Sequence, residues 1–106
     1  MHKLVLLAEA RKHLKDIARY TQKIWGIKQR KHYISQLKQA MELIAESPQI
    51  GPLREELHPD LRSFLKGKHT IYYSVTQDQV KIVAILHQSM DPVHYISMTG
   101  DNNMVN

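Results

Sequence analysis

The spacing of apolar residues changes period several times along the chain, and each change predicts an element. Leu4-Val5-Leu6-Leu7 is a short apolar run of the kind a buried strand shows. Leu14, Ile17, Ala18, Thr21, Ile24 and Trp25 then recur at helical spacing, with Arg11, Lys12, Lys15, Asp16, Arg19 and Lys23 on the opposite side. This predicts an amphipathic helix from about Ala8 to Ile24. Gly26 stands where a helix C-terminus favours glycine. A second helix is expected from about Ile27 to Glu46, with an apolar line through Ile27, Ile34, Leu37, Ala40, Met41, Ile44 and Ala45. Two long helices joined this closely predict an antiparallel hairpin. Ser47-Pro48 stops the second one, because the residue before proline avoids the helical region.

From Gln49 to Asp60 the pattern is that of a loop, marked by Gly51-Pro52 and His58-Pro59-Asp60. Three strands are expected next: Leu61 to Lys66, ended by Gly67; His69 to Thr76, rich in β-branched and aromatic residues; and Val80 to His87. The last is apolar on both alternations, as in a central strand covered on both faces. The short Gln77-Asp78-Gln79 turn makes the last two antiparallel neighbours. Asp91-Pro92 reads as an N-cap followed by proline at the first helical position, starting a turn or short helix through about Met98. The order β-α-α-β-β-β calls for an α+β two-layer domain, the hairpin packed on one face of an antiparallel sheet. Residues 1–98 are expected to form one domain and 99–106 a frayed tail.

Composition adds limits. A chain of 106 residues suits one modest core. With no cysteine, a disulfide framework, a thiol nucleophile and a thiolate metal site are excluded. The apolar start is too short for a signal peptide, no run is long enough to span a bilayer, and a cytoplasmic location is the simplest expectation. Charge changes the picture more. Residues 1–39 hold ten Lys and Arg against Glu9 and Asp16, a net of +8. Residues 40–106 hold five against eight acids, a net of −3, which together give the chain's +5. A basic half points to an acidic partner, either nucleic acid or an acidic protein segment, or else to a solvated helical face.

Several short stretches, in order, then carry a resemblance. Leu14-x-x-Ile17-x-x-Tyr20, Trp25-Gly26, Tyr33 and the run Leu37 to Ile44 fill the front half. Pro48-x-x-Gly51, Leu61-Arg62-Ser63-Phe64, His69-Thr70-Ile71-Tyr72-Tyr73 and Ile85-Leu86-His87-Gln88-Ser89-Met90-Asp91 fill the back half. Over about residues 3–95 the chain resembles the RelE/ParE superfamily of toxin–antitoxin systems, and its ParE branch more closely. The resemblance implies the two-layer RelE/ParE-like fold and a ParD-like antitoxin that neutralises the toxin in a hetero-oligomeric complex. It also implies one of two activities: RelE-type toxins cleave mRNA on the ribosome, whereas ParE-type toxins inhibit DNA gyrase without cutting nucleic acid.

Ribonuclease chemistry requires a base, an acid and cations about the phosphate. Where RelE-like toxins often carry arginine in the middle strand, this chain has Thr70, which holds no charge. That departure and the His87-to-Asp91 ending favour the ParE reading, with no catalytic residue of the chain's own and nucleic acid involved only indirectly. If the chain were a nuclease, Arg62, His69, Tyr73 and His87 would be the set, gathered on the sheet. His69 shares a face with Tyr73 and is open to a structural or a functional role, as is His87 at its strand end. Arg62 is expected to pair with Asp60 or Glu55, or to meet a partner. Trp25 is expected to pack between the helices and cap the core, with a gyrase contact as the alternative. Candidate partner contacts are Arg11, Lys15, Arg19, Lys23, Arg62, His87, Met90 and Asp91. The seven histidines have no metal-ligand spacing, and neither a metal nor a cofactor is expected. A third reading is a binding module that meets an antitoxin and harms nothing.

Overall fold

The computed structural model describes residues 1–97, so the expected Met98 end and the tail after it lie outside the described residues. The elements are β1 (Lys3–Leu6), α1 (Ala8–Trp25), α2 (Ile27–Glu46), β2 (Leu61–Lys66), β3 (His69–Val75) and β4 (Gln79–His87). A 3-10 turn covers Pro48–Ile50, and a single π-helical turn covers Val93–Ser97. Each expected element is present, with ends within a residue of those expected.

Gly26 makes the hairpin. Its φ of 96° lies in the region that a side chain penalises. In that conformation its N–H donates to Gln22 O at 2.8 Å while its own carbonyl accepts from Arg30 N–H at 3.1 Å. One residue therefore ends α1 and begins α2. Glu9 in the first turn of α1 and Lys23 in its last also oppose the helix dipole favourably.

The sheet runs β1-β4-β3-β2, with β1 and β4 parallel and the other pairs antiparallel. β4 and β3 are central, as the double-sided apolar pattern of β4 requires. β1 is a half-buried edge strand instead of a fully buried one. In the β3–β4 ladder Tyr72 faces Ala84 while Tyr73 faces Ile82, so Val83 is an extra residue. This bulge reverses the phase of β4. Val80, Ile82 and Ile85 pack on the helix side with Leu37, Met41, Ile44, Ile71 and Tyr73. Ala84 and Leu86 join Leu61, Tyr72 and Ile96 on the other side, flanked by Leu57, Val83 and Met90. The second face is thus covered in part by the loop before β2 and by the C-terminal turn.

The loop is held from both sides. Tyr73, fully buried, donates its hydroxyl to Pro48 O at 2.6 Å and accepts from Gly51 N–H at 3.0 Å. The outer edge of β2 takes Ser63 N–H to Pro52 O and Arg54 N–H to Leu61 O, a short extra pairing across Leu53 and Arg62. None of the helices among the described residues is long and apolar enough to cross a membrane.

Candidate functional site

A cleft of about 370 Å³ opens where the α1–α2 turn approaches the β2–β3 turn and the end of β4. Its floor is His69, first residue of β3, directly opposite His87, last residue of β4. The Val83 bulge matters here: it brings His87 to the helix side, where the two imidazoles meet edge to face at 5.4 Å.

Each ring is oriented by a neighbour. Tyr33 of α2 places its hydroxyl 2.6 Å from His69 Nδ1, and Lys68 N–H donates to the same hydroxyl at 3.2 Å. Lys66 O is the hydroxyl's other available acceptor, at 3.4 Å. The shorter contact takes the proton, so His69 Nδ1 accepts and its hydrogen sits on Nε2. Burial lowers the His69 pKa to about 4, with a smaller push from His87, so the ring is neutral at pH 7. His87 Nδ1 accepts from Ser89 N–H at 3.1 Å and meets Ser89 Oγ at 2.8 Å. Gly67, at φ 62°, lets the β2–β3 turn press against the Tyr33 ring, 2.8 Å from where a Cβ would stand.

The helical wall is aromatic and open. Tyr20 is 65% exposed and Trp25 71%, while Ile24 and Ile27 are about half exposed. The expectation that Trp25 caps the core is therefore corrected. Thr21 is the last buried residue of α1, and the final turn lines the open cleft instead of entering the core. Ile27, placed by its spacing in the apolar line of α2, is likewise about half exposed.

The nuclease set does not gather. Arg62 and Tyr73 face one another across β2 and β3, four residues along β3 from His69, or about 13 Å at strand spacing. Both are committed to the loop, Arg62 by donating Nη1–H to Gly51 O at 2.7 Å. The acid pairing expected for Arg62, with Asp60 or Glu55, is replaced by that backbone carbonyl. Thr70 sits between Leu65 and Leu86 and faces away from the histidines.

The other candidates are dispersed. Lys15 and Lys23 are exposed on α1, Arg19 makes a loose pair with Asp16 at 4.0 Å, and Arg11 donates to Leu6 O at 3.2 Å. Met90 packs on the far-side cluster with Leu61 and Tyr72. Asp91 Oδ1 accepts from Val93 N–H at 3.0 Å, the expected cap. Sequence reasoning did not connect Tyr33, Tyr20 or Lys68 to the histidines; no local pattern carries those meetings. Among the described residues there is no group of three or more His, Asp or Glu able to hold a metal.

A helical hairpin on one face of a four-stranded sheet is the fold expected of the RelE/ParE class of small toxins. Likeness to solved structures agrees: a structure titled "Chromosomal ParDE TA system from P. aeruginosa" matches with a TM-score of 0.71 over 82% of this chain and 96% of that one, at 15% identity. The family model described as "ParE toxin of type II toxin-antitoxin system, parDE" matches residues 4–92. Toxin ParE1 of Mycobacterium tuberculosis is 35% identical over 88 residues, covering 82% of this chain and 90% of that protein. Toxin ParE1 of Caulobacter vibrioides is 36% identical over 86 residues, covering 81% and 88%. The chain belongs to the ParE family, the toxins of type II toxin–antitoxin systems.

Proposed function

We propose that this toxin arrests growth in the cytoplasm by inhibiting DNA gyrase without cutting nucleic acid itself, and that a ParD-like antitoxin neutralises it. The observation that carries the non-nuclease part is the division of the polar set. Arg62 and Tyr73 are tied to the Pro48–Gly51 loop, and among the described residues Lys68 alone of the lysines and arginines lines the cleft of the histidine pair. A phosphoryl-transfer site needs cations around the scissile group, and Thr70 offers none. Family membership supports gyrase as the target.

Antitoxin capture fits the hairpin. A shallow groove of about 650 Å³ runs between α1 and α2, with Ala18 and Ile34 in it and Arg30, Lys31 and Lys38 along it. An acidic amphipathic segment would set its apolar side on the floor and its carboxylates on the rim.

The test adds purified toxin to gyrase, relaxed plasmid and ATP. Loss of supercoiling with accumulation of cleaved complex is expected, and unchanged supercoiling would overturn the reading. One observation favours a second reading, ribosome-dependent mRNA cleavage: His69 and His87 are neighbours, as an acid and a base would be. Mapping mRNA ends after pulsed expression tests it, since cuts at codon positions that vanish in His87→Ala would establish it.

A further inference from the structure

The aromatic wall of the cleft stands largely in water, and neither reading above uses Trp25, Tyr20 or Lys68. Trp25 and Tyr20 are large rings left mostly in water at the end of a basic helix. Beside them are Lys68 and the Gln29 amide, and among the described residues no carboxylate lines the cleft. Lys23 and Lys28, both exposed, flank the turn that carries Trp25. Open aromatic faces, amines without acids and an electrostatic excess of +8 over residues 1–39 together make a surface for a polyanion that has planar groups to stack.

We propose that this cleft binds single-stranded nucleic acid, with an unpaired base stacked on Trp25 and the neighbouring phosphates held by Lys68, Lys23 and Lys28. The neutral His69 imidazole on the floor suits a base better than a phosphate. Both imidazoles keep Nδ1 engaged by a neighbour, and His69 Nε2–H is free to meet an acceptor on a base edge. A duplex fits less well, because its bases are covered by one another and it would offer only phosphates. The proposal stands whichever target the toxin arrests.

Trp25 is the chain's single tryptophan, so its emission reports on the cleft directly. The full chain is titrated with oligothymidylate of about eight nucleotides, a length within the usual footprint of such platforms. Quenching of Trp25 is expected, weakening steeply with salt, and a duplex of the same length should leave the emission nearly unchanged. With a labelled oligonucleotide followed by anisotropy, Trp25→Ala is expected to weaken binding about tenfold, and Tyr20→Ala by a smaller factor. Lys68→Gln should reduce the salt slope by about one phosphate contact. Leu65→Ser, on the opposite face, should change nothing. Both aromatic positions are exposed, so circular dichroism should show the fold retained. Equal binding of duplex and single strand with unmoved Trp25 emission would reduce the surface to a nonspecific basic face and overturn the proposal. So would displacement of the strand by a glutamate-rich peptide that itself quenches Trp25, which would make the cleft a peptide site.

Discussion

At His69 burial and a hydrogen bond act in the same direction. The ring is desolvated, His87 stands beside it, and Tyr33 donates to its Nδ1, so each influence favours the neutral form. The folded pKa of about 4 lies below the ordinary 6.5, and the unfolded chain therefore binds the proton more readily. Stability is complete above the unfolded value and declines as pH falls from 6.5 towards 4. Discounted for a ring that is only partly buried, His69 accounts for on the order of 1–2 kcal/mol of that loss. His13 acts in the same sense: burial lowers its pKa, and its Nδ1 accepts Ile85 N–H at 3.2 Å. Urea denaturation at pH 7 and pH 5 should show the loss, and His69→Gln should reduce it while His13 maintains the remainder. Tyr33→Phe removes the donor to His69 and the acceptor for Lys68 N–H, costing about 1 kcal/mol. In that variant the His69 pKa, followed by NMR, should rise towards its ordinary value. A fall would show that the hydroxyl accepts from the ring.

Among the elements, the α1–α2 turn and the β4 bulge decide where the cleft lies. No described atom lies near the Cβ that a substitution would add at Gly26, so Gly26→Ala costs only the backbone strain at φ 96°, ψ 173°, about 1–3 kcal/mol. Gly26→Asn should cost about as much, because this backbone lies outside the left-handed helical region that Asn tolerates. If Ala and Asn are equally harmless in thermal denaturation, the turn is not what sets the hairpin. The periodicity that gave these elements was local, which is why their ends were legible. Leu37, Met41 and Ile44 follow the helical repeat, and Ser47-Pro48 ends it by a steric rule that needs no tertiary contact. The Val83 bulge was not legible, because Val83 and Ala84 are both apolar and either phase of β4 reads as core. With the phase unknown, the side taken by His87 was unknown too. Trp25 was misread for a different reason. Helical spacing says which side of α1 is apolar, but not where the material covering that side ends. The real partner of Arg62 is a backbone carbonyl, Gly51 O, which no side-chain pairing rule could name.

Across the whole molecule, the basic hairpin and the buried polar anchors serve separate purposes, and substitutions should separate them. Tyr73→Phe leaves Pro48 O and Gly51 N–H unpaired in the interior and should cost about 1–3 kcal/mol, releasing the loop that shields the edge of β2. Trp25→Ala removes a ring already in water, so its unfolding midpoint should stay within about 0.5 kcal/mol of the parent. The outer face of α1 lies between these cases. Lys15 and Lys23 are exposed and make no ion pair among the described residues, so reversing their charge costs little folding energy. Their field reaches over about a Debye length, 8 Å at physiological salt, towards the acidic antitoxin segment proposed above. Lys15→Glu with Lys23→Glu should therefore slow association with the antitoxin by about tenfold, leave dissociation nearly unchanged, and flatten the salt dependence of the on-rate. Surface plasmon resonance over a salt series separates the two rates. If the double variant instead speeds dissociation and leaves association alone, these lysines lie within the buried contact and do not act by steering.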